Sequence, residues 1–97
     1  MKIKVGINGL GRIGRMVIRT IYEKNYKNIE IKHINNRSNS ETASQLLKYD
    51  SIHGEFNCQI KSDKNYLIIN NKKITYTQHT NIEDINWKKY GVDIVLE

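Results

Sequence analysis

Gly9, Gly11 and Gly14 form a G-x-G-x-x-G run whose placement restricts this chain more than any other feature. Ahead of it, Ile3, Val5 and Ile7 alternate with Lys2, Lys4 and Gly6, the two-residue period of an extended strand. Behind it, Ile13, Val17, Ile18, Ile21 and Tyr22 recur at helical spacing, so the strand turns directly into a helix running from Arg12 to near Asn25. Ile29, Ile31 and Ile34 then mark a second strand, completing one βαβ unit of about thirty residues. In that setting each glycine has a task. Gly9 permits the tight turn, Gly11 removes a side chain where a pyrophosphate must approach the backbone, and Gly14 allows close packing of the helix on the sheet. The open N–H groups at the helix start, near Arg12 and Ile13, face the phosphates of a dinucleotide with the positive end of the helix dipole.

The rest of the chain reads as an extension of that unit. Ser38 and Glu41 stand at capping-box spacing and predict a helix that carries Ala43, Leu46 and Leu47 inward. A polar loop through His53 and Gly54 follows. The stretches Tyr66 to Ile69 and Lys73 to Thr77 flank Asn70 and Asn71, a pair that tolerates left-handed backbone angles, and so predict a hairpin. A helical turn is expected around Ile82 to Trp87. Val92 to Leu96 reads as a strand apolar enough to lie inside a parallel sheet. Such a strand normally feeds a further loop and helix, so the fold reads as unfinished, with an apolar sheet edge exposed. The expected class is α/β, with a mostly parallel sheet, helices and an added hairpin. Ninety-seven residues suffice for one modest core and exclude two domains.

The net charge of +6 is unevenly placed. Residues 1 to 37 carry nine Lys and Arg against Glu23 and Glu30, whereas the remainder carries seven against eight acids. A basic patch suits nucleic acid, a membrane surface or a small phosphate-bearing ligand, and composition does not choose among them. Cys58 is the single cysteine, and no Cys/His spacing matches a zinc site, so neither a disulfide framework nor a metal is implied. No apolar run reaches membrane-spanning length, and no leader pattern precedes the first strand, which makes the cytoplasm the default location.

The run Lys4-Val5-Gly6-Ile7-Asn8-Gly9-Leu10-Gly11-Arg12-Ile13-Gly14-Arg15 resembles the opening of the glyceraldehyde-3-phosphate dehydrogenases. Leu47-Lys48-Tyr49-Asp50-Ser51-Ile52-His53-Gly54-Glu55-Phe56 resembles a second signature of that family, and Ile85-Asn86-Trp87 through Val92-Asp93-Ile94-Val95-Leu96-Glu97 a third. The resemblance implies a Rossmann domain that binds NAD. It places residues 1–97 in the N-terminal portion of that domain, with the catalytic domain and its cysteine and histidine absent from these residues. The intact enzyme would oxidise glyceraldehyde 3-phosphate with NAD(P)+ and phosphate to 1,3-bisphosphoglycerate, in glycolysis and gluconeogenesis, as a homotetramer. No catalytic residue is assigned within the 97. By themselves they are expected to bind cofactor weakly and not to turn over.

Carried across residue by residue, the resemblance assigns Gly9 and Gly11 to the pyrophosphate, the amides of Arg12 and Ile13 to the phosphates, and Asn8 to bracing the turn. It assigns the backbone at Thr80 to the adenine, although the family more often has an arginine there. Asn36 stands where NAD-using members usually carry an aspartate that holds the ribose hydroxyls. An aspartate repels a 2′-phosphate, so neutral Asn36 beside Arg37 implies a relaxed preference and possible use of NADP; equally, Asn36 acts as a plain ribose acceptor beside a solvated Arg37. Cys58 is a small packed or half-exposed residue and not the family's nucleophile. Asp50 and His53 take structural roles, Trp87 anchors a core, and His33 and His79 have no evident partner. Two other functions compete. One is erythrose-4-phosphate dehydrogenase, whose opening is similar. The other is a non-catalytic nucleotide- or RNA-binding module, disfavoured because no platform of exposed aromatics is evident, so no nucleic acid is expected as partner.

Overall fold

The computed structural model of the chain describes residues 2–50, 54–55 and 58–97, and the side chains of 2–49 and 58–97. The first strand, β1 (Ile3–Asn8), leads through the glycine loop into helix α1 (Arg12–Glu23), and β2 (Ile29–Asn35) lies parallel to β1. α1 stops where expected: Lys24 and Tyr26 donate their N–H groups to the carbonyls of Thr20 and Ile21, while Asn25 takes φ +54. That left-handed residue ends the helical run.

Helix α2 (Ser40–Lys48) begins one residue later than the capping box predicts. Its cap is Asn39, whose side chain accepts the Thr42 N–H at 2.8 Å. Ser38 is taken by tertiary contacts instead: its hydroxyl accepts from the Asn36 amide at 2.7 Å, and its carbonyl accepts the Tyr76 hydroxyl. Ala43 and Leu47 point into the core as expected, but Leu46 lies at the surface. β3 (Tyr49–Asp50) and β4 (Gly54–Glu55) pair as a two-stranded ribbon, so Gly54 is strand and not loop. Ser51, Ile52, His53, Phe56 and Asn57 and the side chain of Asp50, and hence the structural roles expected of Asp50 and His53, lie outside the described residues.

β5 (Ile60–Asp63), β6 (Tyr66–Ile69) and β7 (Lys72–Thr77) form an antiparallel meander. Asn70 and Asn71 turn β6 into β7 with φ +50 and +69, as their pairing predicts. β7 then runs parallel to β2. The single turn expected near Ile82 is two 3-10 turns, Ile82–Asp84 and Trp87–Tyr90, ahead of β8 (Ile94–Leu96). β8 is parallel to β1 and closes the order β5-β6-β7-β2-β1-β8. It is the outer strand of the sheet that the described residues form, with Ile94 and Leu96 exposed, the apolar edge that the sequence predicts.

Each face of the sheet has its own cover. On one, Val5, Ile7, Ile34, Leu67, Ile69 and Ile74 pack against Ile18 and Ile21 of α1 and Ala43 and Leu47 of α2. Each fully buried Ile or Leu of this cluster contributes about 1.5–3 kcal/mol. On the other, Trp87 lies against Gly6, where an added Cβ would sit 2.5 Å from the indole ring. Trp87 is thus a half-buried wedge over β1 and stands outside the main core cluster. Cys58 lies in a bend ahead of β5, half-buried against the core.

Candidate functional site

The parallel strands place a switch point at β1, because β2 and β7 lie on one side of it and β8 on the other. Ligands of open α/β sheets bind outside the carboxyl ends of the strands at such a point. The glycine loop leaves β1 at that end. Its first residue, Gly9, has φ +96, a conformation that strains any L side chain, and donates its N–H to the Asn35 carbonyl at 2.7 Å. Leu10 is buried, and its N–H is accepted by the Asn36 side-chain oxygen at 3.1 Å. Gly14 is needed for close approach, since a Cβ there would stand 2.4 Å from the Gly9 carbonyl oxygen and 3.3 Å from Ile7.

Gly11 differs from both. It is the N-cap of α1 with φ −73 and ψ −169, an extended conformation open to most residues, and among the described residues no atom beyond its chain neighbours lies within 4 Å of where its Cβ would be. Nothing in the packing of the chain on itself demands glycine at this position. The first helical bond of α1 runs from the Arg15 N–H to the Gly11 carbonyl at 3.0 Å, so the amides of Arg12, Ile13 and Gly14 precede the ladder and point out of the helix end. No side chain caps them, and no acid occupies the first turn. The Arg12 side chain is exposed and Ile13 is 65 % exposed beside them. An uncrowded helix N-terminus flanked by arginines attracts a phosphate.

A buried asparagine that the sequence reading did not single out holds the rim together. The Asn35 amide donates to the Asn8 side-chain oxygen at 3.0 Å and to the His79 carbonyl at 2.9 Å. Its oxygen accepts the Thr77 hydroxyl and the His79 N–H, both at 2.8 Å. Asn8 therefore braces the end of β1 through Asn35, and the segment leading to Thr80 is pinned beside it. Thr80 itself is exposed, as is Arg37, whose carbonyl accepts the Gln78 amide at 3.2 Å. Asn8, Gly9, Gly11, Arg12, Ile13, Asn36, Arg37 and Thr80 thus all follow from the carboxyl ends of β1, β2 and β7. The available signal for Asn35 was a pair of consecutive amides where the second strand ends.

His33, for which no partner was evident, is fully buried. It stacks on Tyr90 with ring centroids 3.8 Å apart and meets Trp87 edge-on at 5.4 Å. Its nitrogens contact the Thr75 and Thr77 hydroxyls at 2.6 and 2.9 Å. Burial, with His79 nearby, lowers its pKa to about 4. The ring is neutral at physiological pH and serves packing. Among the described residues there is no cluster of three or more His, Cys, Asp or Glu that could hold a metal, and no helix is long and apolar enough to cross a membrane.

The family model described as the NAD binding domain of glyceraldehyde 3-phosphate dehydrogenase matches residues 3–97. This chain belongs to that family. Among curated glyceraldehyde-3-phosphate dehydrogenases, that of Shimwellia blattae is 44 % identical over all 97 residues and that of Thermotoga maritima 42 % over 94. The enzyme of Geobacillus stearothermophilus is 40 % identical over 97 residues. The chain spans 28–29 % of the length of these relatives, while they cover 97–100 % of the chain. The match includes the glycine loop, both helices and all the strands, so the Rossmann-type α/β fold expected of a glyceraldehyde-3-phosphate dehydrogenase NAD-binding domain is the fold observed.

Proposed function

We propose that the carboxyl end of β1 is the NAD site, with the pyrophosphate against Gly9 and Gly11 and the amides of Arg12 and Ile13 as its donors. One observation carries this assignment: Gly11 is a glycine that neither backbone angle nor protein packing requires, at a helix end with outward N–H groups and no acid. A ligand approaching the main chain supplies the missing requirement. Asn8 and Asn35 fix the end of β1, and Asn36 fixes Leu10, so the donors are held before the ligand arrives. The backbone beside Thr80 borders the adenine.

When bound, NAD supplies the acceptor for a hydride. In a longer protein carrying the family's cysteine and histidine, this domain would serve the phosphorylating oxidation of glyceraldehyde 3-phosphate to 1,3-bisphosphoglycerate in glycolysis and gluconeogenesis, in the cytoplasm and as a homotetramer. The 97 residues contain no Ser-Cys-Thr-Thr-Asn segment, and Cys58 packs half-buried against the core. By themselves they bind without turnover.

The site is also open to NADP. No carboxylate stands at Asn36 to repel a 2′-phosphate, Asn36 is already committed to Leu10 and Ser38, and the Arg37 side chain is exposed beside it. Titrating the labelled protein with NAD and following backbone amide resonances tests the assignment: the largest shifts are expected at Gly9, Gly11, Arg12, Ile13 and Asn36. Shifts confined to other parts of the chain would refute it.

A further inference from the structure

The glycine loop uses only part of the positive charge concentrated in the first third of the chain. Lys2 and Lys27 stand at the opposite end of β1, about 20 Å away across a six-residue strand. There, where β1, β2 and β7 begin, a cavity of about 370 Å³ opens between the end of α1, the start of β2 and the Asn70–Asn71 turn. Lys72 joins Lys2 and Lys27 around it, whereas the Lys73 ammonium lies over the Tyr66 ring; among the described residues the lining holds a single acid, Glu30. Glu30 is itself partly answered by Lys32 at 3.7 Å, so the three lysines dominate. The carbonyls of Thr20 and Ile21 at the end of α1 are occupied by the Lys24 and Tyr26 amides, which blunts the negative end of that helix.

The walls between the lysines are apolar and aromatic. Ile21 and Ile31 form a buried floor, and Tyr22 and Tyr26 stand beside it. Tyr26 is 49 % exposed, an aromatic face available to a planar group. Burial, with Glu30 and Cys58 adding, pushes the Tyr22 hydroxyl up to about 12, so it remains a neutral hydrogen-bond donor. Three cations at the rim, an aromatic wall and the volume of a small-ligand pocket together match one chemistry, a flat ring carrying several phosphates.

We propose that this cavity is a second ligand site, distinct from the glycine loop, for a nucleoside polyphosphate, with the base against Tyr26 and the phosphates among Lys2, Lys27 and Lys72. It does not depend on the assignment of the NAD site. Its occupant answers the charge that the glycine loop leaves unused, and its position lets it fill while the loop is occupied.

The test is an amide-resonance titration of the 97-residue protein with ATP in the presence of saturating NAD, repeated with inorganic tripolyphosphate. ATP is expected to shift Asn25, Tyr26, Lys27 and Asn70. The Lys27→Glu/Lys72→Glu double variant, altered only at exposed positions, is expected to weaken ATP binding about tenfold or more while leaving NAD affinity within about twofold. Tyr26→Ala is expected to weaken ATP binding and leave tripolyphosphate binding unchanged. The proposal is overturned by any of three outcomes: ATP shifts only the glycine loop, the double variant binds ATP as well as the parent, or tripolyphosphate binds as tightly as ATP.

Discussion

The side-chain oxygen of Asn36 accepts the backbone N–H of Leu10 at 3.1 Å, tying the residue after β2 to the glycine loop across 26 positions of sequence. The same amide donates to Ser38 at 2.7 Å, so Asn36 is a clamp on the loop before it is anything to a ligand. An acidic residue would keep the acceptor and add a charge. Holding Leu10 is the duty the hydrogen bond shows, and the proposed NAD site would add a second, selection at the adenosine ribose.

Those duties are separated by two substitutions. Asn36→Ala leaves the Leu10 N–H without its acceptor and is expected to cost about 1–3 kcal/mol in urea unfolding. Asn36→Asp retains the acceptor, costs less than Asn36→Ala, and is expected to reduce NADP affinity relative to NAD by about tenfold. Equal losses of both cofactors in Asn36→Asp would show that the residue does not discriminate between them.

At Gly14 the loop and helix are in contact. A methyl there would lie 2.4 Å from the Gly9 carbonyl oxygen, which is backbone and cannot swing aside. Gly14→Ala is expected to destabilise the fold by about 1–3 kcal/mol and to weaken NAD binding by displacing the helix end. A denaturation midpoint equal to that of the parent would contradict this.

Gly6→Ala tests the opposite face of the sheet. Its methyl would meet the Trp87 ring at 2.5 and 2.7 Å and force the Trp87–Tyr90 turn off β1. Because Trp87 is the only tryptophan, its emission reports this directly: a red shift is expected together with about 1–3 kcal/mol lost stability. Unchanged emission would mean that Trp87 does not lie on Gly6.

His33 sets a pH dependence. Its pKa falls from 6.5 to about 4 on folding, chiefly through burial and secondarily through His79. Between those values the unfolded chain binds more protons, so stability rises with pH across this window. The contribution is complete above pH 6.5 and is lost as the pH falls toward 4. Going from pH 7 to pH 5 is expected to cost about 2 kcal/mol through this group, measured as the difference between the parent and His33→Gln. Parallel pH profiles for the two proteins would remove His33 as the cause.

What the sequence made legible follows from local chemistry. Three glycines between a period-two and a helical stretch place the βαβ unit because each signal acts within a few residues, and Asn70–Asn71 places the hairpin because left-handed angles are an intrinsic tolerance of asparagine. What escaped depended on distant partners. Ser38 looked like a cap, but Asn36 and Tyr76, from other elements, take its hydroxyl and carbonyl, and Asn39 caps instead. β5 contains only one strongly apolar residue, Ile60, and is a strand because β6 pairs with it. His33 and Asn35 show as polar residues in β2, and only folding brings Thr75, Thr77, Tyr90 and His79 around them. In the site, the glycines were readable from spacing, whereas the amide network that fixes their loop was not.

If Gly11 is glycine for the sake of a bound pyrophosphate, as proposed, one variant sets ligand against fold. Gly11→Asp introduces a favoured cap and an acid at the N-terminus of α1, at φ −73 and with no atom of the described residues beyond its chain neighbours within 4 Å of the new Cβ. Thermal unfolding and NAD titration of this variant, measured on the same sample, form the test. Stability is expected to rise by about 0.5 kcal/mol as the carboxylate caps the open amides, while NAD-induced shifts at Gly9, Arg12 and Ile13 disappear. A stably folded Gly11→Asp protein that binds NAD as the parent does would contradict the account.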